Sequence, residues 1–416
     1  MHSWLKKSAR LAAYGVVLAA AIVSAIAICQ GSGSDSTGSR TPTAQSVTSP
    51  LPGPDREMGT AFSRIDDTPH PVDSPRATVG WLESTRAAPL GSPYSTDSTG
   101  GILPATEWLR ATPSAPGLDP ERLAELAEVI PQQAPGLRSL VIIQDGKLVM
   151  EVALEPHSLT TEREVYSITK SIMATLIGIA IDQGYIEGVD TPVLDYFAER
   201  TIANNSAAKQ AMLLDDLLTM TSGILWVEDY NQAIRDLRDS PDWLQTMLDL
   251  PMATQPGERF NYCTGCSHLL SGILERATGM DAFEFAQQNL FAPLGITQVQ
   301  WSRDTGGMPI GGWGIQLSPY DLARFGYLYL QGGRWDDQQI VSAAWVETAT
   351  SPHITVDDDY SYGYQWWIRS SIEGYAAIGA DGQMVAVLPE KNVVVVFTSS
   401  YGQTDVLIEL IEQYIY

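Results

Sequence analysis

Cysteine, histidine and basic charge are all scarce in this chain. Three cysteines in 416 residues are too few for a disulfide framework. Five histidines with no H-x-x-x-H or comparable spacing offer no ligand set for zinc. Asp357-Asp358-Asp359 starts like a calcium loop but lacks the downstream glutamate, so it reads as a solvated turn. Only 25 Lys and Arg stand against 49 Asp and Glu, a formal charge of −24, which excludes a phosphate-neutralising surface. No nucleic-acid partner, metal or cofactor is expected. His157, His268 and His353 are scattered and read as satisfied core or surface residues.

What is present suffices for a large core. Apolar residues make up 44% of the chain and charged residues 18%, a composition that excludes collagen-like, coiled-coil and wholly disordered classes. Lys6, Lys7 and Arg10 precede an uncharged run from Leu11 to Cys29, the pattern of an export signal. Cleavage after Ala27 and retention of the run as a membrane anchor both stay open, whereas Ile28 argues against lipid attachment at Cys29. Residues 1–29 are thus expected to send the protein out of the cytoplasm. Residues 30–101, rich in Ser, Thr, Pro and Gly, show no sustained periodicity and read as a tether.

The folded domain is expected over 102–416. Asp119-Pro120-Glu121 is a helix start followed by Leu123, Leu126, Val129 and Ile130 at helical spacing. The runs 139–144 and 147–152 flank Asp145-Gly146, a tight-turn dipeptide, and predict a hairpin. A second hairpin is predicted from 383–388 and 392–398, and a final helix from Val406, Leu407, Leu410, Ile411 and Ile415. Between the hairpins the pattern is helical at 168–183, 213–219, 243–249, 267–278, 282–290 and 319–331. Strands at both ends with helices between predict an α+β fold: an antiparallel sheet of N- and C-terminal strands, flanked by helices, with an inserted helical region.

The chemistry centres on Ser167-Ile168-Thr169-Lys170. S-x-x-K puts a hydroxyl and an amine one turn apart on one helix face, where a neutral amine can take the serine proton. Ser3 to Lys6 and Ser206 to Lys209 also match, but only Ser167 opens a helix that is apolar almost all round, the mark of a buried helix. A serine there faces backbone N–H groups and a positive dipole end. Trp226, Tyr230, Trp313, Trp366 and Trp367 are candidates for an apolar pocket wall. Cys263-Thr264-Gly265-Cys266 reads as two small residues at a helix start ahead of a small disulfide.

Several segments in order carry a resemblance: Val165 to Ser171, Met220-Thr221-Ser222-Gly223, Pro256 to Tyr262 with Ser267 to Glu275, and Asp321 to Gly326. The chain resembles the serine β-lactamase-related hydrolases, which include class C β-lactamases, penicillin-binding D-alanyl-D-alanine carboxypeptidases, esterases and 6-aminohexanoate-dimer hydrolase. The resemblance covers roughly Ile102 to Tyr416 and implies the β-lactamase/transpeptidase-like fold. It implies Ser167 as the acylated nucleophile, Lys170 as its activator and Tyr262 as a proton relay to the leaving group. Two departures matter. Thr264 stands where the family's Y-x-N places asparagine, and Ala377 to Gln383 contains no K-T-G or H-x-G. The backbone near Gly382 and Gln383 is then the expected partner of the Ser167 N–H in an oxyanion hole, with Thr264 and Trp226 lining the substrate. The implied activity is hydrolysis of a small ester or amide through an acyl-enzyme. The alternatives are a D-alanyl carboxypeptidase or β-lactamase, in which Arg303 or Arg369 would have to supply the missing cation, and a non-catalytic binding protein.

Overall fold

The structure, a computed structural model, describes residues 108–113, 118–229, 232–400 and 404–416, with the backbone of short strands at 77–80, 95–96 and 102–103. The run Leu11–Cys29, most of the 30–101 segment and Tyr230 lie outside the described residues. Among the described residues no helix is long and apolar enough to cross a membrane.

The main sheet is made of β1 (Ala77–Gly80), β2 (Leu137–Gln144), β3 (Lys147–Leu154), β4 (Ile354–Thr355), β5 (Tyr360–Tyr362), β6 (Trp367–Arg369), β7 (Gly374–Gly379), β8 (Gln383–Leu388) and β9 (Val393–Ser399). Its order is β1-β3-β2-β9-β8-β7-β6-β5-β4, antiparallel throughout. The N-terminal hairpin thus pairs β2 with β9 at the sheet centre, the α+β layout expected. Asp145 and Gly146 both have positive φ, at 50° and 72°, as a two-residue hairpin turn requires. The structure departs from the tether reading at β1, where Ala-Thr-Val-Gly pairs with β3. Strands β4 to β6 escape the sequence pattern because two- and three-residue runs are too short to show a period of two.

Helices cover both faces: α1 (Pro120–Gln133), α2 (Ile168–Asp182), α3 (Trp243–Asp249), α4 (Thr264–Thr278), α5 (Ala282–Ala286), α6 (Pro319–Leu330) and α7 (Thr404–Tyr414). Alternate residues of each central strand serve different cores. Val141, Ile143, Val385, Val387, Val394 and Val396 face the cluster containing α2, α4 and α6. Leu140, Ile142, Met384, Ala386, Val393, Val395 and Phe397 face the cluster that holds α1 and α7. Two-sided burial is why these strands read as continuous apolar runs rather than as alternation. Two helix boundaries differ from expectation by three residues or more. Helix α4 starts three residues earlier than Ser267, since Cys263 caps it by accepting the Cys266 N–H on Sγ at 3.0 Å. The 282–290 helix is α-helical only to Ala286 and continues as a π-helical turn over Gln287–Phe291.

Helix α6 approaches the sheet so closely that only glycine fits at its contact point. A Cβ on Gly326 would lie 2.6 Å from Val394 Cγ1 and 2.7 Å from Val385 Cγ1. Gly326→Ala is therefore expected to destabilise the fold by about 1 to 3 kcal/mol through overpacking, measured by urea unfolding. An unchanged midpoint would show that α6 can lift off the sheet freely.

Candidate active site

Val165 is tied to Ile315 by its N–H at 2.9 Å, Tyr166 turns the chain through φ +48°, and Ser167 enters α2 as its N-cap. Ser167 makes no side-chain cap hydrogen bond, so its hydroxyl is available to Lys170, whose Nζ lies 2.8 Å from Ser167 Oγ. The same Nζ donates to the Gly312 carbonyl at 2.9 Å. Lys170 is 1% exposed, and burial lowers its pKa to about 8 against an opposing push from the Glu228 charge. An amine that is neutral in part near pH 7 can act as a base.

Ser206 shows what the same spacing does without that setting. Its Oγ caps a short helix by accepting the Lys209 N–H at 3.2 Å. The Lys209 amine is taken up by the carbonyls of Ala203, Leu248 and Leu250. The pair is structural, in keeping with its weaker sequence context.

Tyr262 comes from the residue before the α4 cap. Lys170 Nζ sits 4.9 Å over its ring centre, and Trp367 stacks on the ring at 5.8 Å with a 25° interplanar angle. The structure thus brings Ser167, Lys170 and Tyr262 together. Contrary to the small-residue reading, Cys263 and Cys266 are joined in a disulfide, which closes the first turn of α4 directly beside Tyr262. Helix α2 and helix α4 are locked by Gln365, a buried residue in the left-handed region at φ +61°. Its backbone carbonyl accepts from Ser171 Oγ at 2.7 Å and its Oε1 from Ser267 Oγ at 2.8 Å. Sequence reading missed Gln365, since neither its type nor its neighbours mark it.

The proposed oxyanion partners need correction. Gln383 does not offer the expected donor: its N–H donates to the Ala380 carbonyl. The Gln383 amide is held by Ser399 through Nε2 to O at 2.8 Å and by the Ser399 N–H on Oε1 at 3.4 Å. Gly382 faces Ser399 and Leu407. The residue against Ser167 is Gly379, where a Cβ would stand 3.2 Å from Ser167 N and 2.3 Å from the Val165 carbonyl. Asp381 follows in the left-handed region and is hydrogen-bonded to Tyr166. Burial first, then the Asp381 charge, pushes the Tyr166 phenol up to about 12.

Thr264 and Trp226 meet around a group the sequence reading overlooked, Glu228. Trp226 Nε1 donates to Glu228 Oε2 at 2.6 Å, the Thr264 N–H donates to the same oxygen at 3.0 Å, and the Thr264 hydroxyl donates to Oε1. Threonine in place of asparagine therefore fixes a carboxylate near Lys170. The signal was a lone acid two residues after Trp226, indistinguishable from many others in an acidic chain.

Other candidates lie elsewhere. Trp366 is buried against Phe325 and Tyr329, whereas Trp313 stays half-buried with Arg238 5.3 Å over its ring. Arg303 is paired with Asp281 at 2.9 Å and Arg369 with Glu412 at 3.2 Å. His157 contacts Arg163, and His353 stacks on Tyr364. Asp357 Oδ1 accepts the N–H groups of Asp359 and Tyr360, as a turn would have it. Among the described residues no cluster of metal ligands occurs.

Comparison with known proteins gives the family and the fold. The sequence model of the Beta-lactamase family matches residues 123–410. The 6-aminohexanoate-dimer hydrolase of Paenarthrobacter ureafaciens is 26% identical over 369 residues, covering 81% of this chain and 92% of its own. Among solved structures, a hydrolase with promiscuous acyltransferase activity, EstCE1, superposes with a TM-score of 0.60 at 14% identity, covering 71% of this chain and 99% of its own. The penicillin-binding protein of Bacillus halodurans gives 0.56 at 18% identity, over 68% and 98%. Those two likenesses speak for the fold alone, while the family match spans most of the folded domain, so the chain belongs to the beta-lactamase family.

Proposed function

We propose that this protein is a serine hydrolase that cleaves an ester or amide through an acyl-enzyme on Ser167. The observation that carries the reading is the 2.8 Å contact between Lys170 Nζ and Ser167 Oγ, both on buried side chains. The neutral Lys170 amine takes the hydroxyl proton while Oγ attacks the substrate carbonyl carbon. The negative oxygen that forms is met by the Ser167 N–H at the start of α2 and by the backbone at Gly379–Ala380. Lys170 then returns the proton, with Tyr262 relaying it to the departing oxygen or nitrogen, and water releases the acyl group by the reverse sequence.

Charge narrows the substrate. The strand end beside Ser167 carries no cation, Arg303 and Arg369 are committed to other acids, and Glu228 brings a negative charge near Lys170. Substrates with a carboxylate near the scissile bond lose a charge-assisted hydrogen bond and meet repulsion. Uncharged esters, and amides bearing an amine, do not. The 6-aminohexanoate-dimer hydrolase relative favours an amide as the natural substrate.

Three measurements test this reading. Ser167→Ala should abolish both labelling by a fluorophosphonate and turnover, whereas Ser206→Ala should change neither; labelling that survives Ser167→Ala removes the assignment. The kcat/KM for a short p-nitrophenyl ester should climb with pH as Lys170 loses its proton and level off above about 8. Because the Glu228 charge holds the proton on Lys170, Glu228→Gln should move that acidic limb to lower pH, and a move upward would contradict the electrostatics. Finally, a chromogenic cephalosporin should be hydrolysed roughly ten- to two-hundred-fold less efficiently than a short ester, the worth of one charge-assisted hydrogen bond. A higher kcat/KM for the cephalosporin overturns the substrate argument.

A further inference from the structure

Lys170 is held from two sides, and the second side leads away from the reacting groups. The Gly312 carbonyl that accepts from Nζ at 2.9 Å belongs to the segment 304–314, which lies along α4. Glycine is required where it touches: a Cβ on Gly311 would be 2.2 Å from the Ser267 carbonyl oxygen, and one on Gly312 2.9 Å from that of Thr264. The segment is fastened by Ser271 Oγ to the Pro309 carbonyl at 2.7 Å and by Trp301 Nε1 to the Ile310 carbonyl at 2.9 Å. Its last fastening before Gly312 is a histidine. His268, 0% exposed, accepts the Gly311 N–H on Nδ1 at 3.3 Å, and its Nε2 faces Asp304 Oδ2 at 3.1 Å.

Those contacts fix the tautomer. The Gly311 N–H can only donate, so Nδ1 carries the lone pair and Nε2 the proton given to Asp304. Asp304 is itself secured by the Met308 N–H on Oδ1 at 2.8 Å. Burial disfavours its charge, yet the hydrogen bonds from His268 and Met308 prevail and hold its carboxyl below the usual carboxylate range. A neutral lysine amine has two N–H donors and one lone pair. A fixed carbonyl that accepts one N–H leaves the lone pair free to turn toward the Ser167 hydroxyl. The aim of the base therefore depends on where Gly312 stands.

We propose that His268, with Asp304 behind it, is a positioning residue for the hydrolytic reaction: it pins Gly311 to α4 so that the Gly312 carbonyl orients the Lys170 amine toward Ser167. The inference rests on the reading of Lys170 as the base. It gives a role to a histidine that composition and spacing place only as a satisfied core residue.

Substitutions at His268 separate this from simple packing. Asparagine keeps an acceptor where Nδ1 stood, glutamine keeps a donor toward Asp304, and leucine keeps neither. With the full-length enzyme and a short p-nitrophenyl ester, His268→Leu and His268→Gln are expected to lower kcat/KM by about ten- to a hundredfold, the scale of a misplaced catalytic group. His268→Asn should recover most of it. The acidic limb of the pH profile should move to lower pH in the leucine and glutamine variants, because a lost carbonyl acceptor no longer favours the ammonium form. A merely structural loosening would admit water and move the limb upward. Wild-type rates in His268→Leu, glutamine equal to or better than asparagine, or an upward limb would each overturn the inference. If His268→Leu does not fold, the asparagine and glutamine pair decides. A wild-type enzyme that fluorophosphonate does not label at Ser167 would overturn the functional reading and this inference together, whereas labelled protein with unaffected His268 variants overturns this inference alone.

Discussion

A buried amine is the constraint on which the site depends. Lys170 is 1% exposed, and a charged ammonium in such a place is costly, so burial drives its pKa down to about 8. That single displacement makes a lysine useful near neutrality. It also obliges the surroundings to give the amine polar partners, and they are few: the Ser167 hydroxyl, the Gly312 carbonyl, the Tyr262 ring face and the nearby Glu228 charge.

The layers of the fold serve that requirement. Helix α2 is buried along nearly its whole length because strands β7 and β8 lie against it on one side and α4, α5 and the π-helical turn after α5 on others. A helix so enclosed has a fixed end, and Ser167 is that end. The sheet then brings the close of β7 to the same point, and Gly379 permits an approach no other side chain would allow. Gln365 joins α2 to α4, so the helix that Ser167 opens and the helix that begins beside Tyr262 are tied by one side chain and its backbone.

The candidate site departs from the motifs that the resemblance implies chiefly in charge. Where the resemblance implies a cation on the strand beside Ser167, this chain has Ala377, Ile378 and Gly379, and where it implies an asparagine, Thr264 anchors a carboxylate instead. In the proposed function both changes work against anionic substrates. A negative protein of −24 adds a long-range field of the same sign.

The sequence by itself determined what depends on local spacing. The Asp145-Gly146 hairpin, the apolar runs of β8 and β9, the enclosed helix after Ser167 and the Ser167–Lys170 spacing all follow from neighbours along the chain, and each agrees with the structure. Ser206–Lys209 could be set aside for the same reason, since no apolar helix follows it. Only the tertiary structure decided what depends on residues far apart meeting at one point. Glu228 gains meaning from Trp226 and Thr264, His268 from Asp304 and Gly311, and Gly379 rather than Gly382 or Gln383 from the way a strand end abuts a helix start. Short-range pattern encodes which face of an element is buried, because burial repeats with the period of the element. Which polar group meets which is set by the crossing of separate elements, and a chain of isolated acids, glycines and one histidine carries no period from which that crossing can be read.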